Sequence, residues 1–257
     1  MSKAQHVLSS SLGKKLIMSL TGLFLCTFLV VHLVGNLQLF YSDEGKAFNE
    51  YAYFMTNFGP IKIVSYLLYA SIVIHAIYAL VLTIHNRKAR PVRYAVHQGS
   101  ANSTWTSRNM GLLGTVLLVF IVTHMSNFWW KYHNDQVPYI EYRSDLSTNV
   151  TTSRPLTSQE FSGFNSYVDQ GIEILKAKDL YKQVDFAFQE WWIVTLYVLA
   201  MIAMGFHLIH GFRSAFQTLG FDHKKYAPIV KFIGIWVFGV VIPAGFAAMP
   251  LYFFFCK

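Results

Sequence analysis

Five stretches of this chain are each long and apolar enough to cross a bilayer as a helix: Leu16 to Phe40, Ile61 to Ile84, Asn109 to Trp130, Trp191 to Phe212 and Val230 to Phe255. Each meets the requirement of roughly 20 residues for a 30 Å hydrocarbon core. None contains Asp or Glu, and the only Lys residues within them, Lys62 and Lys231, lie near the ends, where they can snorkel to water. Trp129, Trp130, Trp191, Trp192 and Tyr252 fall at the edges, as an interfacial aromatic belt requires. Composition agrees, with 54% of the 257 residues hydrophobic and 13% charged. The expectation is an all-α protein forming one membrane domain over residues 1–257, with five transmembrane helices and one sizeable loop outside the membrane, 131–190.

The first window carries His32 and Asn36 and lacks a small-residue cleavage site, so it reads as a retained helix rather than a removed leader. Cys26 and Cys256 stand at opposite ends of the chain. They offer no disulfide framework and no C-x-x-C-H for covalent haem attachment.

The formal charge is +8, but its distribution points to topology and not to nucleic acid. Lys3, Lys14 and Lys15 precede the first window without an acid, and the link NRKARPVRYAVHQGSANSTWTSR has five basic residues and none. Arg213, Lys224 and Lys225 stand against Asp222 after the fourth window. The other two links carry Asp43, Glu44 and Glu50 against Lys46, and a net acidic balance over 131–190. The positive-inside rule places the N-terminus in the cytoplasm and the C-terminus outside.

Within 131–190, the Ser/Thr-rich DLSTNVTTSRPLTSQ reads as loop. The Thr157/Glu160 capping-box pattern reads as the start of one or two amphipathic helices running through Gln183. No Gly-rich phosphate loop, paired catalytic carboxylates or Cys/His metal cluster is present, so nucleotide cofactors are not expected on this chain.

Four histidines lie well inside the apolar windows: His32, His75, His124 and His207. Burying a polar group without a partner costs on the order of 2 to 7 kcal/mol, so four of them need a common explanation. Successive helices alternate in direction. His32 is eight residues and His124 six residues short of the outer end of its helix, about 9 to 12 Å deep. His75 is fourteen and His207 sixteen residues in from the outer side, about 21 to 24 Å deep. A b-type haem takes two imidazoles, one on each face. The depths therefore pair His32 with His124 at an outer haem iron and His75 with His207 at an inner one, about 12 Å apart. GLFLCTFLVVHL (Gly22 to Leu33) resembles GTVLLVFIVTHM (Gly114 to Met125), with Gly and His ten residues apart in both. In FHLIHG, His207 matches the depth of His75, and His210 is expected about 4.5 Å nearer the cytoplasm, beside the haem. Arg213, Lys15, Arg87 and Arg108 are candidates to neutralise inner-haem propionates, and Ser19 and Trp105 to hydrogen-bond them.

SSLGKKLIMSLTGLFLCTFLVVHLVGNL, one His in each of the first four helices, and FHLIHGFRSAFQTLG give the chain a resemblance over its whole length to a known family. It resembles the five-helix, two-haem cytochrome b membrane anchors of succinate:quinone oxidoreductases, succinate dehydrogenase and fumarate reductase, in the form found in Bacteroidetes-type bacteria. The resemblance implies a multi-pass protein of the bacterial inner membrane, with His32, His75, His124 and His207 as ligands of two non-covalent haems b. It also implies two partner subunits: a flavoprotein carrying FAD and an iron-sulfur protein that relays electrons to this chain. The haems then exchange electrons with a membrane quinone, which in two-haem members is mostly menaquinone.

Quinone chemistry moves protons as well, and with no acid inside the windows they must come from the edges. Glu50 is the first candidate and Glu190 the second. Two other readings stand beside this one. The haems belong to the anchor of another respiratory complex, of formate dehydrogenase or hydrogenase type, or the histidines pack a haem-free anchor or transporter.

Overall fold

A computed structural model describes residues 10–89 and 103–257. Lys3 and most of the basic link quoted above, residues 90–102, lie outside the described residues. Five helices are long and apolar enough to cross a membrane: α1 (Ser11–Phe40), α3 (Gly59–Lys88), α4 (Met110–His133), α6 (Trp191–Thr218) and α7 (Ala227–Cys256). They overlap the five windows and extend most of them by up to two turns. Two shorter helices are α2 (Lys46–Asn57) and α5 (Leu180–Phe188). The spanning helices expose apolar side chains such as Ile63, Val73, Val122, Ile202 and Phe232 to their surroundings, the pattern of a multi-pass membrane protein in contact with lipid.

Two of the spans are not α-helical throughout. Met125–Trp130 in α4 and Ile233–Val241 in α7 are π-helical. Such widened turns recur at functional sites.

The segment 131–190 corrects the expectation of an all-α chain. It holds four strands, β1 (Tyr139–Asp145), β2 (Thr151–Leu156), β3 (Asn165–Asp169) and β4 (Ile172–Lys178), in one antiparallel sheet of order β2-β1-β4-β3. Within the expected helical region only α5 is a helix. Glu160 does accept from the Thr157 backbone N–H and hydroxyl at 2.9 and 2.8 Å, as in a capping box. No helix follows there, because the chain continues into a hairpin closed by Gln170 (φ 48°) and Gly171 (φ 82°). Two successive positive φ angles suit a tight hairpin turn, and glycine adopts one freely.

The chain forms two compact units. The first comprises the described residues of Met1–Val31, Ser65–Phe120 and Val198–Ala247. Here a Cβ at Gly205 would lie 2.6 Å from the Gly239 carbonyl oxygen, so α6 and α7 meet backbone to backbone. Beside that crossing Phe212 stacks on Phe238 with ring centres 4.6 Å apart.

The second unit comprises His32–Val64, Ile121–Tyr197 and Ala248–Lys257. One face of its sheet contributes Ile140, Tyr142, Leu175 and Ala177 to a buried core, and α2 packs against both β4 and α5. Asn49 joins the three layers. Its amide nitrogen donates to the Tyr142 hydroxyl and to Asp179, and its oxygen accepts from the Tyr181 backbone N–H. Asp179 in turn caps α5 by accepting from the Lys182 N–H at 2.9 Å.

Candidate functional site

In the second unit, α1 supplies His32 and α4 supplies His124. Their ring centres are 5.8 Å apart and their planes nearly perpendicular, at 89°. His124 is the last residue before the π-helical turn of α4. Asn36, one turn after His32, donates its amide N–H to the His32 carbonyl at 2.7 Å and lies 3.2 Å from the ring Nδ1. The Tyr197 hydroxyl stands 3.5 Å from His124 Nδ1. Phe128 and Phe188 pack edge-on to one another and to Tyr197 beside this pair.

In the first unit, α3 supplies His75 and α6 supplies His207, with ring centres 6.4 Å apart. Thr21 of α1 sits 3.1 Å from His75 Nδ1, and its single hydroxyl proton goes to the Ile17 carbonyl at 2.8 Å. Toward the imidazole the oxygen is therefore an acceptor, which puts the ring proton on Nδ1 and leaves the Nε2 lone pair free. The His75 ring also bonds the Met18 backbone. His207 Nδ1, by contrast, is buried with no hydrogen-bond partner.

All four helices that carry these histidines are distinct, and each pair brings two imidazole rings from different helices side by side. Two imidazole nitrogens about 2 Å from a shared metal set their ring centres roughly 6 Å apart, the spacing of both pairs. A haem brings its own four nitrogens and asks for two axial ones, so the donor sets fit haem b. Glycines of α1 and α4 lie against the His75/His207 pair: a Cβ at Gly22 would come within a tight 3.3 Å of His75 Cε1, and one at Gly114 within an ordinary contact distance of 3.6 Å from His207 Cε1.

No family model, curated protein or solved structure matches this chain.

The remaining sequence candidates are spread more widely. His210 is half-buried one turn beyond His207, outside the ring pair. Ser19 is buried, but its hydroxyl donates to the Lys15 carbonyl at 2.9 Å, so its proton is already committed. Trp105 is exposed and lies edge-on to Phe206, with ring centres 5.5 Å apart. Arg108 turns its guanidinium to the Ser103 carbonyl. Lys15, Arg87 and Arg213 are exposed. Glu50 is half-buried on α2. Desolvation pushes its carboxyl above the usual range, opposed by Lys46 and reinforced by Glu173 and Asp43. Next to it, Tyr51 lies against Gly35, three residues after His32 on α1. Glu190 is exposed at the start of α6.

Three contact residues escaped the sequence reading: Thr21, Tyr197 and Asn36 as a partner of His32. Their signal was a hydroxyl or amide inside an apolar window, one residue before the repeated glycine in the case of Thr21.

Proposed function

We propose that the chain is the two-haem cytochrome b anchor of a succinate:quinone oxidoreductase of the bacterial inner membrane. It carries electrons between an iron-sulfur subunit and a membrane quinone, menaquinone by resemblance, while a partner flavoprotein with FAD interconverts succinate and fumarate. The observation that carries this reading is the pairing of four intramembrane imidazoles, His32 with His124 at 5.8 Å and His75 with His207 at 6.4 Å between ring centres. The choice of this enzyme among respiratory complexes rests on the resemblance of SSLGKKLIMSLTGLFLCTFLVVHLVGNL and FHLIHGFRSAFQTLG.

Bound haem b supplies a one-electron iron couple that the polypeptide lacks. His32, His124, His75 and His207 would hold it; Thr21 would orient the His75 ring, and the aromatic side chains packed around His124 would help to exclude water. The five spans contain no Asp or Glu, so protons for the quinone enter from their edges. Glu50, which holds its proton more readily than an ordinary carboxyl, is the proposed exchange group. The Lys/Arg bias of the links supports a cytoplasmic N-terminus and an outer C-terminus.

The test is a dithionite-reduced minus oxidised spectrum with pyridine haemochrome quantitation on the purified complex. The expected result is haem b in the wild type, with specific loss in each Ala variant of His32, His75, His124 and His207 and retention in His210→Ala. A correctly assembled complex without haem would overturn the reading.

A further inference from the structure

The two Gly–His repeats of the sequence make the same contact in space. Gly22 of α1 lies against the His75 ring, and Gly114 of α4 lies against the His207 ring; in both cases the nearest atom is Cε1 and the next is Nδ1. α1 with α3, and α4 with α6, are thus two versions of one unit, in which the glycine of the first helix cradles the histidine of the second. Aligning Gly22 with Gly114 puts Thr21 opposite Leu113. The two rings are partnered differently: His75 bonds the Met18 backbone and also has Thr21 beside it. In the first version Nδ1 meets the Thr21 hydroxyl at 3.1 Å. In the second, Leu113 is a buried apolar residue and His207 Nδ1 has no partner.

We infer that Thr21 is a positioning residue that makes His75 the stronger electron donor of its pair, and that Leu113 leaves His207 the weaker one, so that the Thr21/Leu113 pair sets the redox potential of the haem between them. This rests on the haem reading above. An acceptor on Nδ1–H makes the imidazole more electron-rich at Nε2 and so favours ferric over ferrous iron. Removing the acceptor shifts the balance toward ferrous iron, and adding one to the other ring shifts it back. A threonine at 113 has the same local support as Thr21, since the carbonyl four residues earlier, that of Asn109, is placed to take its hydroxyl proton; it already accepts the backbone N–H of residue 113 at 2.9 Å.

The experiment is a spectroelectrochemical titration of the assembled complex, with low-temperature EPR of the oxidised haems, for Thr21→Val, Thr21→Ser, Leu113→Thr and Leu113→Val. Thr21→Val is expected to raise the midpoint of one haem by about tenfold in its ferrous:ferric ratio, about 59 mV for a one-electron couple. Thr21→Ser keeps the wild-type value. Leu113→Thr lowers the same midpoint relative to Leu113→Val, which has the same shape without the hydroxyl. The other haem stays unchanged in all four, and the EPR g-values move only for the shifted haem. Full haem content with no movement of either midpoint in Thr21→Val and Leu113→Thr would overturn the inference and leave the haem reading standing. Absence of haem from the wild type would overturn both.

Discussion

Asn49 is 1% exposed, and its amide makes three hydrogen bonds, to Tyr142, Asp179 and the Tyr181 N–H. Leucine has nearly the same volume but leaves those groups unpaired and buried. Asn49→Leu is therefore expected to cost roughly 2 to 4 kcal/mol in the second unit, because buried groups left unsatisfied bear their full desolvation penalty. Limited proteolysis of segment 131–190 measures it: faster cleavage is expected, and an unchanged rate would contradict the role given to the amide. Nothing in the sequence marks Asn49, since its partners come from residues some 93 to 132 positions away. The four ring-paired histidines were legible for the opposite reason. A polar side chain inside an apolar window needs a partner wherever it turns, and depth alone limits which partners are available. Helix rotation, which selects Thr21 for His75 and Tyr197 for His124, is not written in depth.

The sheet shows how an element can be hidden by its composition. TTSRPL reads as loop because of its Ser, Thr and Pro, yet it pairs along β1 from Thr151 to Leu156. The alternation that should have identified strands lies in IEILKAK and YIEYRSD, whose buried Leu175, Ala177, Ile140 and Tyr142 point to one face. On the other face Glu141 is also buried, held by Arg143 at 2.7 Å and Arg154 at 3.1 Å, with Lys176 at 3.7 Å. Burial raises its carboxyl, but the guanidiniums of Arg154 and Arg143 outweigh this and hold it below the usual range. Glu160 is lowered further, from 4.5 to about 2, by the Thr157 N–H, the Thr157 hydroxyl and Arg154. Both carboxyls are thus depressed in the folded state. The stabilisation they give is present above the unfolded value of about 4.3 and is lost as pH falls through the folded values. Amide exchange in β1 and β2, corrected for intrinsic rate, is expected to lose protection between about pH 4 and pH 2. Constant protection across that window would contradict the ion cluster's contribution.

At the scale of the whole molecule, the five spans follow from the length and apolarity that any bilayer-crossing helix needs, which is why they could be read from the sequence. The proposed orientation rests on charge alone and has its own test. Cys256 is exposed and Cys26 is buried, so a membrane-impermeant thiol reagent applied to spheroplasts should label Cys256 only. Labelling that requires lysis would reverse the topology. Each compact unit holds one histidine pair, His32 with His124 in one and His75 with His207 in the other, at similar ring spacing. That each pair holds one haem b is the central proposal, and haem b per chain in the wild type and in two pair-deleted variants tests it most directly. The account predicts two haems in the wild type, and one in each of His32→Ala/His124→Ala and His75→Ala/His207→Ala. A wild type without haem, or a pair-deleted variant that still holds two, would contradict it.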